Sequence, residues 1–246
     1  MRTAVVWDVV RAALGQLALD RGREALDVLD LGGGTGGFAV PLARLGHRVT
    51  VVDPSPDALA ALERRIAEST LAGSARAVQG DLGSVFEVVE PQCADAVLCH
   101  GVLEFVDDPA DGCRIARRLV RPGGVVSVLA ANRPAVVLAR ALGGHVAEAL
   151  AALRDPAGRF GAHDPVPRRF GEEELRDLLA AAGLAVRSVH GVRIFADLVP
   201  AADFPSGQPG GAGMEDLLAL EAAAAQLPQF RSMATQLHVL AARETG

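Results

Sequence analysis

The sequence predicts an α/β protein whose mostly parallel sheet carries helices on both faces. Short apolar runs alternate with longer runs at helical spacing from residue 26 almost to the C-terminus. The first apolar run, Val28–Leu31, passes through glycines directly into the helix-like stretch from Phe38 to Leu45. Clusters of Pro and Gly fall between the periodic segments rather than inside them.

The elements follow in order. Residues 3–20 form an amphipathic helix, with Val5, Val6, Val9, Val10, Ala13, Leu14 and Leu17 at helical spacing. Strand 26–31 comes next, then a helix from about residue 36 and a second strand, 48–52. Ser55 caps a third helix, with Pro56 at its first position and Ala58, Leu59, Leu62 and Ile66 facing inward. A short strand ends near Val78; Asp95–Cys99 and Gly124–Leu129 are further strands, separated by a helix that starts near Pro109 and stops at R-P-G-G. Residues 132–170 break the rhythm, with a helix over Pro134–Leu153 followed by a Pro- and Gly-rich segment read as a lid. Helix 171–182, strand 184–196, a flexible stretch at 205–213, helix 214–226 and strand 236–242 complete seven strands. The whole of 1–246 reads as one domain: N-terminal helix 1–20, nucleotide-binding core 22–131, insertion 132–170 and a sheet-completing part 171–246.

Composition narrows the function classes. Half the residues are apolar, yet Arg or Asp interrupts every stretch long enough to span a membrane, so no membrane is expected and the reading is cytoplasmic. Three cysteines, with no C-x-x-C pair, suit reduced thiols. Every basic residue is arginine, and the net charge of −6 argues against strong non-specific nucleic-acid binding. Arg117, Arg118 and Arg121, and the pair Arg168 and Arg169, read as solvated faces.

The stretch V-L-D-L-G-G-G-T-G-G, residues 28–37, is the strongest motif. A strand turning through glycines into a helix leaves backbone N–H groups free for a nucleotide, with no Cβ in the way. Two cofactors fit. Gly32, Gly34 and Gly37 spell G-x-G-x-x-G, with Asp53 twenty-one residues after the first glycine, the dinucleotide fingerprint. Asp30, Gly32, Gly34 and Gly36 spell D-x-G-x-G-x-G, the motif of Rossmann-like methyltransferases that use S-adenosylmethionine (SAM). Asp53 ends strand 2 and suits either ribose, since one carboxylate accepts two hydroxyl hydrogen bonds.

Downstream segments turn the reading to SAM. D-A-V-L-C-H-G-V-L-E-F-V-D-D-P resembles strand 4 and its loop in class I methyltransferases, and L-V-R-P-G-G-V-V-S-V resembles the turn into strand 5. That resemblance implies a mostly parallel seven-stranded sheet with an antiparallel last strand. R-T-A-V-V-W, L-G-G-G-T-G-G, H-G-V-L-E-F-V-D-D-P, G-V-R-I-F-A-D-L and L-H-V-L-A-A-R make the chain similar over nearly its whole length to bacterial methyltransferases that esterify 5-carboxymethoxyuridine in tRNA. The resemblance implies that Arg2 binds the SAM carboxylate, Gly32 and Gly33 the methionine end and Asp53 the ribose. It also implies that Leu82, beside Asp81, lies along the adenine, and that His100 forms the floor of the site. Asp81 equally reads as the N-cap of a helix over 82–88. Family members carry a further segment before that arginine and a lysine-rich stretch after strand 5; here the latter region offers Arg154, Arg159, Arg168 and Arg169.

Methyl transfer needs a nucleophile held in line, and a carboxylate needs no base because it is ionised at neutral pH. His100 is the candidate to orient the acceptor or to deprotonate a hydroxyl. Arg193, in an apolar segment, calls for an anionic partner, either a substrate carboxylate or phosphate or a structural Asp197 or Asp203. Glu104 and Asp107 are expected to cap the turn into the next helix. The other histidines lack metal spacing, so no metal is expected. The expected activity is SAM-dependent O-methylation of tRNA or of a small carboxylate acceptor. The alternatives are a small-metabolite methyltransferase, a non-catalytic SAM-binding subunit and an NAD-dependent oxidoreductase.

Overall fold

A computed structural model describes residues 3–69, 71, 73–199 and 212–245. Arg2, Asp203 and residues 205–211 of the expected flexible stretch lie outside the described residues. Seven strands form one sheet: β1 (Asp27–Leu31), β2 (Arg48–Asp53), β3 (Ala75–Gln79), β4 (Ala94–His100), β5 (Val120–Ala131), β6 (Ala185–Val192) and β7 (Gln236–Ala242), in the order β3-β2-β1-β4-β5-β7-β6. β1 pairs in parallel with β2 and β4, and β2 with β3. β7 runs against β5, since Gly123 N–H bonds to the Arg243 carbonyl at one end and Asn132 N–H to the Thr235 carbonyl at the other. The mostly parallel sheet with an antiparallel last strand stands as expected.

Helices fill the connections: α1 (Ala4–Arg21), α2 (Ala39–Arg44), α3 (Pro56–Ala67), α4 (Pro109–Leu119), α5 (Arg133–Leu142), α6 (Val146–Arg154), α7 (Glu172–Ala181), α8 (Ala212–Ala224) and α9 (Pro228–Arg231). Central strands β1 and β4 are buried almost end to end, which is why their sequences are mostly apolar rather than alternating, with Asp30 and Asp95 as the buried exceptions. Ser55 caps α3 as expected, its hydroxyl accepting from Ala58 N–H with Pro56 in the first turn.

Several local expectations are corrected. The helix read over Pro134–Leu153 is two helices, because Gly144 takes φ +79° and His145 N–H closes back on the Arg140 carbonyl. β5 begins at Val120, ahead of R-P-G-G, because pairing of Gly123 and Gly124 with Arg243 keeps that segment in the sheet. β6 ends at Val192, and Arg193 turns the chain with φ +60°. The N-cap of α4 is Asp108, which accepts from Ala110 N–H. Asp81 does not start a helix over 82–88; it accepts from Ser84 N–H and Oγ ahead of one short turn, Val85–Glu87.

One arginine from each of the two groups read as solvated faces is tied down. Arg121 bridges Asp27 and Asp95, and Arg169 is buried in a two-pronged pair with Asp164. Asp27 and Asp95 lie 94 and 26 residues from Arg121, whereas Asp164 stands five residues before Arg169.

The chain divides into two compact units. One contains Val10–Val128, Arg176–Arg187 and Leu240–Gly246; the other contains Met1–Val9, Leu129–Leu175 and Ser188–Val239.

Candidate cofactor and acceptor sites

In the unit containing Val10–Val128, the glycine turn closes over the C-terminal ends of β1, β2 and β4. Gly32 has φ +64° and donates its N–H to the Val52 carbonyl, and a Cβ there would stand 2.6 Å from Val102. A larger residue is excluded twice, by backbone angle and by space. A Cβ on Gly33 would stand 2.5 Å from an Asp30 carboxylate oxygen, so the turn lies directly on that side chain. Asp53 pins the turn to β2, accepting from Gly34 N–H at 2.9 Å and from Ser55 N–H at 2.9 Å. Gly36 takes φ +80° as the chain enters α2.

Beside the turn lies a cavity of about 340 Å³, lined by Leu31, Gly32, Asp53, Asp81, Leu82, Gly101, Val102, Phe105 and Val106, among others. The residues fit an adenosyl group. Asp53 supplies carboxylate oxygens at the end of β2, while Leu82, Val102, Phe105 and Val106 give apolar surface of the kind a purine ring packs against. Asp81 is exposed, and its hydrogen bonds from the Ser84 backbone and hydroxyl hold its carboxyl below the usual range.

His100 ends β4. Its Nε2 lies 2.8 Å from Ser127 Oγ on β5, and its ring meets Phe38 edge-on at 4.7 Å. Burial pushes its pKa down to about 3, so the imidazole is neutral at physiological pH. His100 is not among the residues lining the 340 Å³ cavity, although Gly101 and Val102, next in sequence, are.

Arg193 belongs to the other unit. Its guanidinium pairs with Asp197 at 2.5 Å, and Asp197 also accepts from the Thr235 hydroxyl at 2.7 Å. The charge in the apolar segment therefore has the structural partner that competed with a substrate anion in the sequence reading. Arg193 and Asp197 line a cavity of about 430 Å³ with walls from Val5, Val192, Val199, Met214 and Leu217. Glu221 on α8 holds the turn that follows, its carboxylate accepting from the N–H groups of Ile194, Phe195 and Ala196 at 2.8–2.9 Å. Motif reading missed Glu221, Ser127 and Phe105. Phe105 and Ser127 left a signal, standing within H-G-V-L-E-F-V-D-D-P and L-V-R-P-G-G-V-V-S-V.

Residues 29–128 match the family model described as a methyltransferase domain. The ubiquinone biosynthesis O-methyltransferase of Methylocella silvestris is 40% identical over 112 residues, 45% of this chain and 41% of that protein. The tRNA 5-carboxymethoxyuridine methyltransferase of Escherichia coli K12 is 27% identical over 197 residues, 80% of this chain and 72% of that protein. Among solved structures, a SAM-dependent methyltransferase from Methanosarcina mazei superposes with a TM-score of 0.61 at 17% identity, covering 91% of this chain and 95% of that one. The chain thus spans less than half of the first relative and nearly three quarters of the second.

These findings support the class I methyltransferase resemblance and the SAM-dependent methyltransferase reading, with SAM as the cofactor. The literal dinucleotide fingerprint pointed the wrong way. Among the described residues no helix is long and apolar enough to cross a membrane, and no group of three potential ligands is arranged to hold a metal ion.

Proposed function

We propose that the chain transfers a methyl group to a carboxylate oxygen, with 5-carboxymethoxyuridine of tRNA as the acceptor class. The observation that carries this reading is the packing of His100 against Ser127 and Phe38, where burial disfavours the imidazolium. A hydroxyl acceptor of phenol type must lose a proton during transfer, and an imidazole with pKa about 3 is a poor base for it. Moving a proton from a group of pKa ~10 to one of pKa ~3 is uphill by roughly 10 kcal/mol. A carboxylate arrives ionised, and the site then has only to hold it in line and exclude water.

SAM, when bound, supplies an electrophilic methyl on a sulfonium. Asp53 is assigned the ribose hydroxyls, Leu82 the adenine, Gly32 and Gly33 the methionine end, and Arg2 its carboxylate. His100, neutral and held by Ser127, is assigned to orient the acceptor as a hydrogen-bonding group rather than as a base. Arg193 is assigned an acceptor anion, presented from the turn that Glu221 organises. Segment 132–170 is assigned as a lid whose Arg154 and Arg159 face phosphates, while Arg169 is committed to Asp164. The E. coli relative, aligned over 80% of this chain, supports the acceptor class.

A second reading keeps SAM and replaces tRNA with a small metabolite, favoured by the 40% identity of the core to a ubiquinone biosynthesis O-methyltransferase and by the net charge of −6. Incubation with methyl-labelled SAM and total tRNA from a strain lacking this protein separates the two. Base-labile label in a modified uridine is the expected result. Label confined to the small-molecule extract replaces the first reading with the second.

A further inference from the structure

Asp30 is the fourth residue of β1, in the middle of the sheet, and is 2% exposed. Its neighbours offer it nothing positive. Asp53 on β2 adds a second negative charge, Cys99 on β4 is a buried thiol whose pKa burial drives upward, and His100 is neutral. The glycine turn that rests on it bears no side chain. Among the described residues no hydrogen bond reaches its carboxylate and no arginine acts on it, whereas buried carboxylates ordinarily have partners. Burial first, and Asp53 second, push its pKa up to about 7.

We propose that Asp30 is a proton-coupled counter-charge for the cofactor: it loses its proton to solvent when the cationic donor arrives at the Gly32–Gly33 turn and regains one when the site empties. This rests on SAM as the cofactor and adds a linkage to it. Before binding, Asp30 is about half protonated at neutral pH. A cation placed over it in a low-dielectric site favours the carboxylate, so the group's pKa falls in the complex.

The sign of the pH dependence follows. The complex binds fewer protons than the free protein, so affinity falls as pH drops through 7 and levels off above it. Well below neutrality the loss approaches roughly tenfold per pH unit, ending where Asp30 protonates in the complex. Asp53, which contacts Gly34 and Ser55, remains the charge that faces the ribose.

The test is titration calorimetry of SAM into the protein in buffers of different ionisation enthalpy at about pH 6, 7 and 8.5. Proton release of roughly half per site near pH 7, more near pH 6 and little near pH 8.5 is expected. Asp30→Asn keeps the shape and removes the proton, so SAM should bind it more weakly with no pH-dependent release. Binding by the wild type without release near pH 6 overturns the proposal, as does equal release by the variant. If Asp30→Asn fails to fold, the wild-type series decides alone. Absence of any binding heat overturns the cofactor assignment and the linkage together, an outcome distinct from binding without a proton.

Discussion

Asp30 and Asp95 lie on adjacent central strands of one unit, and the structure treats them in opposite ways. Asp95 is the second residue of β4, its side chain fully buried, and it accepts from Arg21 at 2.5 Å, Arg23 at 2.6 Å, Arg121 at 2.9 Å and Asp27 N–H at 2.8 Å. Asp30, at the cofactor end of β1, has no such partner among the described residues and faces Asp53 instead. Evenly distributed polar satisfaction would tie both carboxylates equally. The strand starts carry a cross-linked charge network that holds α1 to the sheet, while at the strand ends the carboxylate is left without one, in line with the counter-charge role proposed for it.

The comparison breaks if the two carboxylates respond alike to removal. Asp95→Ala should have the largest effect, because three guanidiniums lose their common anion. A loss of about 3 kcal/mol is expected, below the upper range for buried pairs because the arginines are 21–40% exposed. For a chain of this size, that lowers the melting temperature by roughly 6–12 °C in a thermal scan near pH 7. An unchanged melting temperature would remove the network from the account of stability.

Asp30→Asn should move stability in the opposite direction, and only at higher pH. Its folded pKa is raised above the ordinary carboxylate value, so its stabilising contribution is complete in acid and is lost as pH rises through about 7. The variant should therefore match the wild type near pH ~4 and exceed it above pH ~8, by an amount on the order of 2 kcal/mol after relaxation of the turn. Chemical denaturation across that range reads the crossover. A variant less stable than wild type at every pH would mean that the Asp30 carboxylate is partnered after all.

How much of this was legible in the sequence depends on the range of the interaction. Strands β1, β2, β4 and β7 were readable because burial dictates an apolar run in one continuous segment. The Ser55-Pro56 cap was readable because both partners lie within four residues. The glycine turn announced a nucleotide, but its letters matched two cofactors, and segments more than sixty residues away were needed to separate them. Asp30 was named from its motif, but its lack of partners is a property of β2 and β4 packing on it. Arg121 was misread because its acids meet it only in three dimensions, Asp27 being 94 residues away, whereas the acid of Arg169, Asp164, stands five residues before it. The contact of Ser127 with His100, 27 residues away, and those of Glu221 with the turn after Arg193, 25–27 residues away, were invisible for the same reason as the pairs of Arg121. The break between α5 and α6 was local and was still missed, since Gly-Gly in a strongly periodic segment signals a stop only if the second glycine takes a positive φ.

Arg193 supplies the third and mildest case, a charge paired but still partly open to solvent. Its side chain is 24% exposed and that of Asp197 is 35% exposed, so the pair is screened and worth only about 0.5 kcal/mol. Against that stands the backbone, since a non-glycine residue at φ +60° costs about 1 kcal/mol that glycine would not. Arg193→Gly should then leave stability within about 1 kcal/mol of wild type, the smallest shift of the three. Its effect on transfer should be larger, with the acceptor KM raised and SAM affinity unchanged, because Asp53 and the glycine turn belong to the other unit. Arg193→Lys keeps the charge but not the planar fork, and should recover only part of the acceptor KM. If the glycine variant instead unfolds while Arg193→Lys restores both fold and activity, Arg193 serves the turn that Glu221 holds and not the acceptor.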